Sequence, residues 1–204
     1  MATRRYVSSV RAAAAAETKS QVMAAARRLL RKESNFAAFS LDSVAKAAGV
    51  TRLTVYNQFG SRRGLLEAVF DDLADTGGLG RIPDAMAAAD PREALERLIV
   101  IFCAFWSGDP AIGRLNEATA VDPEFGESVA ARNERRRKAI AALIARMSAG
   151  RRISADRRRD VIDIVFGLTG YAMFKAVAAN RSSDEASALV RETCMAALDR
   201  ILGG

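Results

Sequence analysis

Histidine is absent from all 204 residues. That removes the commonest metal ligand and the commonest general base, and with them most hydrolytic and metal-dependent chemistry. There is no glycine-rich phosphate loop, no metal-ligand cluster, and no serine or cysteine nucleophile paired with a base. Neither catalysis nor a cofactor nor a bound metal is expected. Proline occurs only four times, Ala dominates, and no Val/Ile/Thr alternation supports a sheet; the expected fold class is all-α. Two cysteines, Cys103 and Cys194, lie inside apolar helical patterns and read as buried structural thiols, with nothing to support a redox sensor. No stretch approaches the ~18 consecutive apolar residues of a membrane span. Arg4 and Arg5 precede only a short Ala run, too weakly hydrophobic for a signal peptide, so a cytoplasmic location and no membrane partner are expected.

Half of the residues are apolar, enough for a sizeable core, and the length suits one small domain plus one medium domain, or a single larger one. The charge is unevenly spread. Residues 1–60 hold ten Lys and Arg against Glu17, Glu33 and Asp42, whereas residues 61–204 hold 21 charges of each sign, so the whole net charge of +7 falls on the N-terminal part. A basic module on a neutral body is the electrostatic footprint of a phosphate-binding head attached to a part with another task.

Within the basic part, Ser40 to Phe59 reads as two short helices. Leu41, Val44, Ala45 and Ala48 recur at helical spacing behind Ser40 as N-cap. Gly49 supplies a left-handed stop without a Cβ clash, and Thr51 caps a second helix beginning at Arg52. This is helix-turn-helix spacing, with small Ala47 and Ala48 permitting close approach. In the second helix Val55 and Phe59 share an inward face. Leu53 and Asn57 project oppositely, flanked by Arg52, Thr54, Tyr56 and Gln58, a set suited to base edges, thymine methyls and phosphates in a major groove.

The run FSLDSVAKAAGVTRLTVYNQFGSRRGLLEAV resembles the DNA-binding domain of the TetR family of transcriptional regulators. Its marks are the Ala-x-x-Ala-Gly-Val turn, the Thr-Val-Tyr-x-x-Phe helix and the following Gly-Ser-Arg-Arg-x-Leu-Leu segment, over roughly residues 17–75. The resemblance implies base or groove contacts from Arg52, Leu53, Thr54, Asn57 and Gln58, and phosphate contacts from Ser40, Thr51, Tyr56 and Arg62. Leu53 stands where the family often has a small residue, which implies an altered base preference. Arg62-Arg63 replaces the more usual Lys-Glu.

Further along, residues 1–10 are expected to form a tail, with Arg4, Arg5 and Arg11 either reaching DNA or merely solvated. Arg11 to Lys32 predicts a helix with Val22, Ala25, Ala26, Leu29 and Leu30 inward, and Phe36 and Phe39 plug the three-helix core. A helix from Ser61 breaks at the glycines after Asp75, which sets the expected boundary: residues 1–75 a helix-turn-helix DNA-binding domain, residues 76–204 a larger helical domain. Further helices are expected from Pro91 to Ser107, Pro110 to about Val121, Asp122 to Ala149, Ser154 to about Ala179, and Ser183 to Leu202. The basic run from Arg132 to Lys138 and Arg157 to Arg159 read as solvated helix faces.

For the second domain the resemblance implies effector binding and dimerisation. Phe102, Phe105, Trp106, Phe166, Tyr171 and Phe174, with Phe125, fit either a plain core or pocket walls. Asn116, Glu117, Thr119 and Thr169 are the polar candidates, and the ligand is expected to be a hydrophobic or aromatic small molecule, with a cationic group suggested by Glu117. The last two helices carry Val161, Ile164, Val165, Leu168 and Ala172, then Ala188, Leu189, Thr193, Ala196, Ala197 and Ile201. These stripes suit either a homodimer interface or an internal core. The implied whole is a homodimer that binds a palindromic double-stranded DNA operator as a repressor and leaves it on binding effector. A DNA-organising protein without effector and a small-molecule carrier are the alternatives.

Overall fold

The computed structural model describes residues 2–32 and 36–203. They form α1 (Ala2–Lys32), α2 (Leu41–Ala48), α3 (Arg52–Phe59), α4 (Arg62–Thr76), α5 (Ile82–Met86), α6 (Pro91–Gly108), α7 (Ala111–Ala118), α8 (Pro123–Met147), α9 (Ala155–Leu168), α10 (Tyr171–Ala178) and α11 (Ser183–Leu202). Single 3-10 turns occupy Phe36–Ala38 and Leu79–Arg81, and there is no strand among the described residues. The all-α expectation holds. No single described helix is long and apolar enough to cross a membrane.

The chain divides into two units, Met1–Asp72 with Pro110–Gly126, and Leu73–Asp109 with Glu127–Gly204. In the first unit, the expected stripe of α1 is inside: Val22, Ala25, Ala26 and Leu30 are buried and α1 packs on α2, whose Val44 and Ala45 are buried too, as are Leu65, Leu66 and Val69 of α4. Each fully buried aliphatic side chain contributes roughly 1.5–3 kcal/mol. Phe36 and Phe39 fill this core as expected, stacked with ring centroids 5.8 Å apart. Arg27 pairs with Asp72 at 2.8 Å, and Arg28 donates to Ala47 O at the end of α2, also at 2.8 Å.

Two expectations change here. Residues 2–10 are not an extended tail, because α1 already runs from Ala2; the Ala-rich segment contains no glycine or proline to stop it. The side chains of Arg4, Arg5 and Arg11 lie outside the described residues. The expected boundary after residue 75 lies at Leu73, and α7 groups with the N-terminal unit. Its Ile112, Leu115 and Ala118 are buried and the helix packs on α1.

In the second unit α6, α9 and α11 pack together around Leu95, Leu98, Ile99, Phe102, Val161, Val165, Val190 and Leu198. Caps are local and legible: Asp90 accepts from Arg92 N at 2.9 Å, Ser154 from Arg157 N at 3.2 Å, and Ser182 exchanges bonds with Glu185. The segment expected to be a plain break after α4 carries a short helix, α5, whose loop to α6 is clamped by Arg146 donating to Met86 O and Ala88 O at 2.9 and 2.7 Å. Gly77 is required beside it, since a Cβ there would stand 2.8 Å from the buried Phe105 ring.

The helix expected from Ser154 to Ala179 is two helices, bent by 54° at Thr169-Gly170. The carbonyls released at the bend find partners from other helices: Phe166 O takes Arg136 Nη1 at 2.8 Å, and Thr169 O takes Trp106 Nε1 at 2.9 Å. Broken helices persist where freed backbone groups are satisfied in this way.

Candidate nucleic-acid interface and a buried arginine

The helix-turn-helix is assembled by its own capping residues. Ser43 N donates to Ser40 Oγ at 3.1 Å and Ser40 N to Ser43 Oγ at 2.9 Å, a capping box at the head of α2. Gly49 holds φ 69, the left-handed value that L side chains resist, and lets Val50 N reach Ala45 O at 3.0 Å. Thr51 then caps α3, with Thr54 N at 3.1 Å from its Oγ1. Val55 is fully buried and fixes which face of α3 points inward; Phe59 is half-buried beside it.

The opposite face is open. Leu53 is 65% and Tyr56 55% exposed, unusual for side chains of that size, and Arg52 and Asn57 are exposed with them. Arg52 keeps only a loose pairing with Asp42 at 3.6 Å, both side chains being largely in solvent, so little holds it back from a stronger anion. Thr54 and Gln58 are half-buried, and Gln58 Nε2 donates to Ala15 O on α1 at 3.3 Å. The hydroxyls of Ser40 and Thr51 serve the caps. Arg62 turns inward, its guanidinium 4.4 Å above the Phe36 ring and 3.4 Å from Phe36 O, with Nε buried and unbonded. Its neighbour Arg63 stays exposed and pairs with Glu67 and Glu124.

In the second unit, Phe102, Trp106, Phe166, Thr169 and Tyr171 come together. The Trp106 ring lies 4.8 Å from Phe105 and 5.7 Å, edge on, from Tyr171. Phe174 is buried in the adjoining core. Asn116, Glu117 and Thr119 belong instead to the first unit, where Asn116 and Thr119 bond to carbonyls of their own helix and Glu117 pairs with Arg114.

At the centre of the aromatic group stands Arg136, part of the run expected to be a solvated face. It is only 7% exposed. The guanidinium sits 4.1 Å from the Phe166 ring centroid and 5.7 Å from that of Phe102, and Nη1 also reaches Thr169 Oγ1 at 2.6 Å. Burial, with neighbouring Arg137 second, pushes its pKa down to about 10, so it remains charged at neutral pH. A signal for it was present: Phe125, Val129, Arg136, Ile140 and Leu143 recur at helical spacing, and Arg136 occupies an inward register. Arg137 differs, pairing with Asp163. Cys103 and Cys194 are both buried; burial raises each thiol, Cys194 to about 12 with help from Cys103.

Residues 22–69 match the family described as bacterial regulatory proteins, tetR family. Among curated relatives, the HTH-type transcriptional regulator EthR of Mycolicibacterium smegmatis is 36% identical over 132 residues, 63% of this chain and 59% of the relative. The HTH-type transcriptional regulator TtgR of Pseudomonas putida is 28% identical over 127 residues, 62% of this chain and 60% of the relative. The chain thus spans about three fifths of the length of the curated relatives it matches. Among solved structures, the TetR family transcriptional regulator PfmR of Thermus thermophilus superposes with a TM-score of 0.60 at 22% identity, over 90% of this chain and 97% of that one. That likeness speaks for the fold, while the match at residues 22–69 covers the capped turn and α3: this segment is a helix-turn-helix domain of the kind found in the tetR family of bacterial regulatory proteins.

Proposed function

We propose that this chain is a DNA-binding transcriptional regulator, without catalytic activity, acting in the cytoplasm as a homodimer on a palindromic operator. The observation that carries this reading is the outer face of α3, where Arg52, Leu53, Tyr56 and Asn57 are exposed beside a fully buried Val55. Such a face offers a cation, an amide and apolar tips to one groove, and the surrounding net charge draws in phosphates. Arg52 and Asn57 read bases, Leu53 meets a thymine methyl, and Tyr56 and Thr51 meet the backbone. Arg62 supports Phe36 and reaches phosphate only by swinging outward.

Dimerisation is assigned to α9, α10 and α11. The inward residues Val161, Val165, Val190 and Leu198 serve the core, but Ile164, Met173 and Leu189 are 38–40% exposed, a level that suits a second copy. A two-fold dimer presents two α3 helices to successive major grooves about 34–36 Å apart, hence a palindrome. The chain is read as a repressor. An effector bound among Phe102, Trp106, Phe166 and Tyr171 favours one conformation of the second unit. α4, an unbroken helix that starts in the first unit and ends in the second, passes the change to the recognition helices. This requires different effector affinity in the two conformations.

Selection of sites from a random DNA pool tests the reading. A short palindrome, bound by two chains, is expected. Recovery of no consensus would leave a DNA-organising protein in its place.

A further inference from the structure

Resting on the effector reading above, we propose that the effector is an anion: a monocarboxylate with an apolar, aromatic or alkyl body, whose carboxylate binds the guanidinium of Arg136. Arg136 is more than nine-tenths buried, yet among the described residues no carboxylate pairs with it. Its hydrogen bonds all leave from Nη1, to Phe166 O and Thr169 Oγ1. Nε is buried without any partner. A buried cation is tolerated when a counter-charge or full hydrogen bonding offsets the loss of water, and here neither is complete. The unused edge, Nε with Nη2, is the side-on fork that takes the two oxygens of a carboxylate.

The surroundings select the rest of the ligand. Phe102 and Phe166 flank the guanidinium, and Trp106 is tied to the same bend by its bond to Thr169 O. A charged head at Arg136 with an apolar body beside these rings matches this chemistry. The cationic ligand suggested by Glu117 does not suit this place, since Arg136 would repel it. Arg136 also fastens the Thr169-Gly170 bend, so anion binding acts on the junction of α9 and α10 directly.

Trp106 is the only tryptophan, and its fluorescence reports on this site alone. The full-length chain is titrated with decanoate, with 2-naphthoate, and with the neutral amide of each, by calorimetry and tryptophan emission. Each carboxylate is expected to bind at least about tenfold more tightly than its amide, the increment of a charge-assisted pair. That comparison needs no variant. Arg136→Gln and Arg136→Lys, checked for helicity and melting, are expected to erase or reduce the preference while retaining amide binding. Equal binding of acid and amide, with loss of operator affinity on binding, would overturn the anion and leave the effector reading standing. Absence of binding by either acid would overturn it too. Naphthalene-2-methanol then decides whether the effector reading survives: it stands if that neutral probe binds and releases operator, and fails if no probe binds while operator affinity is intact.

Discussion

Replacing Thr169 by valine removes one hydroxyl and little else. Thr169 is 1% exposed; its Oγ1 accepts from Arg136 Nη1 at 2.6 Å and donates to Val165 O at 2.7 Å. Valine has nearly the same shape and packs in the same space. Val165 O loses little, because Thr169 N already reaches it at 3.0 Å. Arg136 loses more: it falls from two acceptors to one, Phe166 O, inside an apolar surround. A hydrogen bond to a charged group is worth about 1.5–3 kcal/mol, and the orphaned donor pays desolvation besides. We expect about 2 kcal/mol of destabilisation, or a fall in Tm of about 4–8 °C for a chain of this size. Thermal unfolding followed by circular dichroism measures it, with Thr169→Ser restoring most of the loss. A change below about 0.5 kcal/mol would refute the reasoning, since it would place the guanidinium in water rather than against Thr169.

Arg52→Ala is expected to cost about 1–3 kcal/mol on the selected operator and to relax one base position; an equal loss on every sequence would make Arg52 a phosphate contact. Leu189→Glu, on the exposed side of α11, is expected to give monomers in sedimentation and to weaken operator binding without lowering helicity. Both thiols are expected to resist a thiol reagent in the native protein at pH 8 and to react at once in denaturant. Cys194 also gives a pH signature. Its folded pKa of about 12 exceeds the unfolded value of 9.0. Stability is therefore expected to fall as pH rises above about 9, where the unfolded thiol ionises and the buried one does not.

The recognition element was legible because its chemistry is local. Ser40, Gly49 and Thr51 each satisfy a helix end within a few residues, and the three conformations follow from those identities alone. The inward set of α1 and the plug of Phe36 and Phe39 followed from spacing in the same way. The bend at Thr169-Gly170 was not legible. Apolar residues keep helical spacing across it, from Val161 through Leu168 to Ala172 and Phe174. What stabilises the break arrives from α6 and α8 as Trp106 and Arg136. Arg136 itself was misread because a cation within a run of cations suggests solvent, although its register pointed inward. The grouping of α7 with α1 is likewise a tertiary fact with no local cue.

Titrating the selected duplex and a scrambled duplex with the protein at several salt concentrations tests the central claim most directly. If the open face of α3 reads bases, the selected duplex binds two chains at least ~10³-fold more tightly than the scrambled one, and the preference survives as salt weakens both. Equal affinities that vanish together with rising salt would contradict it, leaving the positive charge of the N-terminal unit as the sole source of binding.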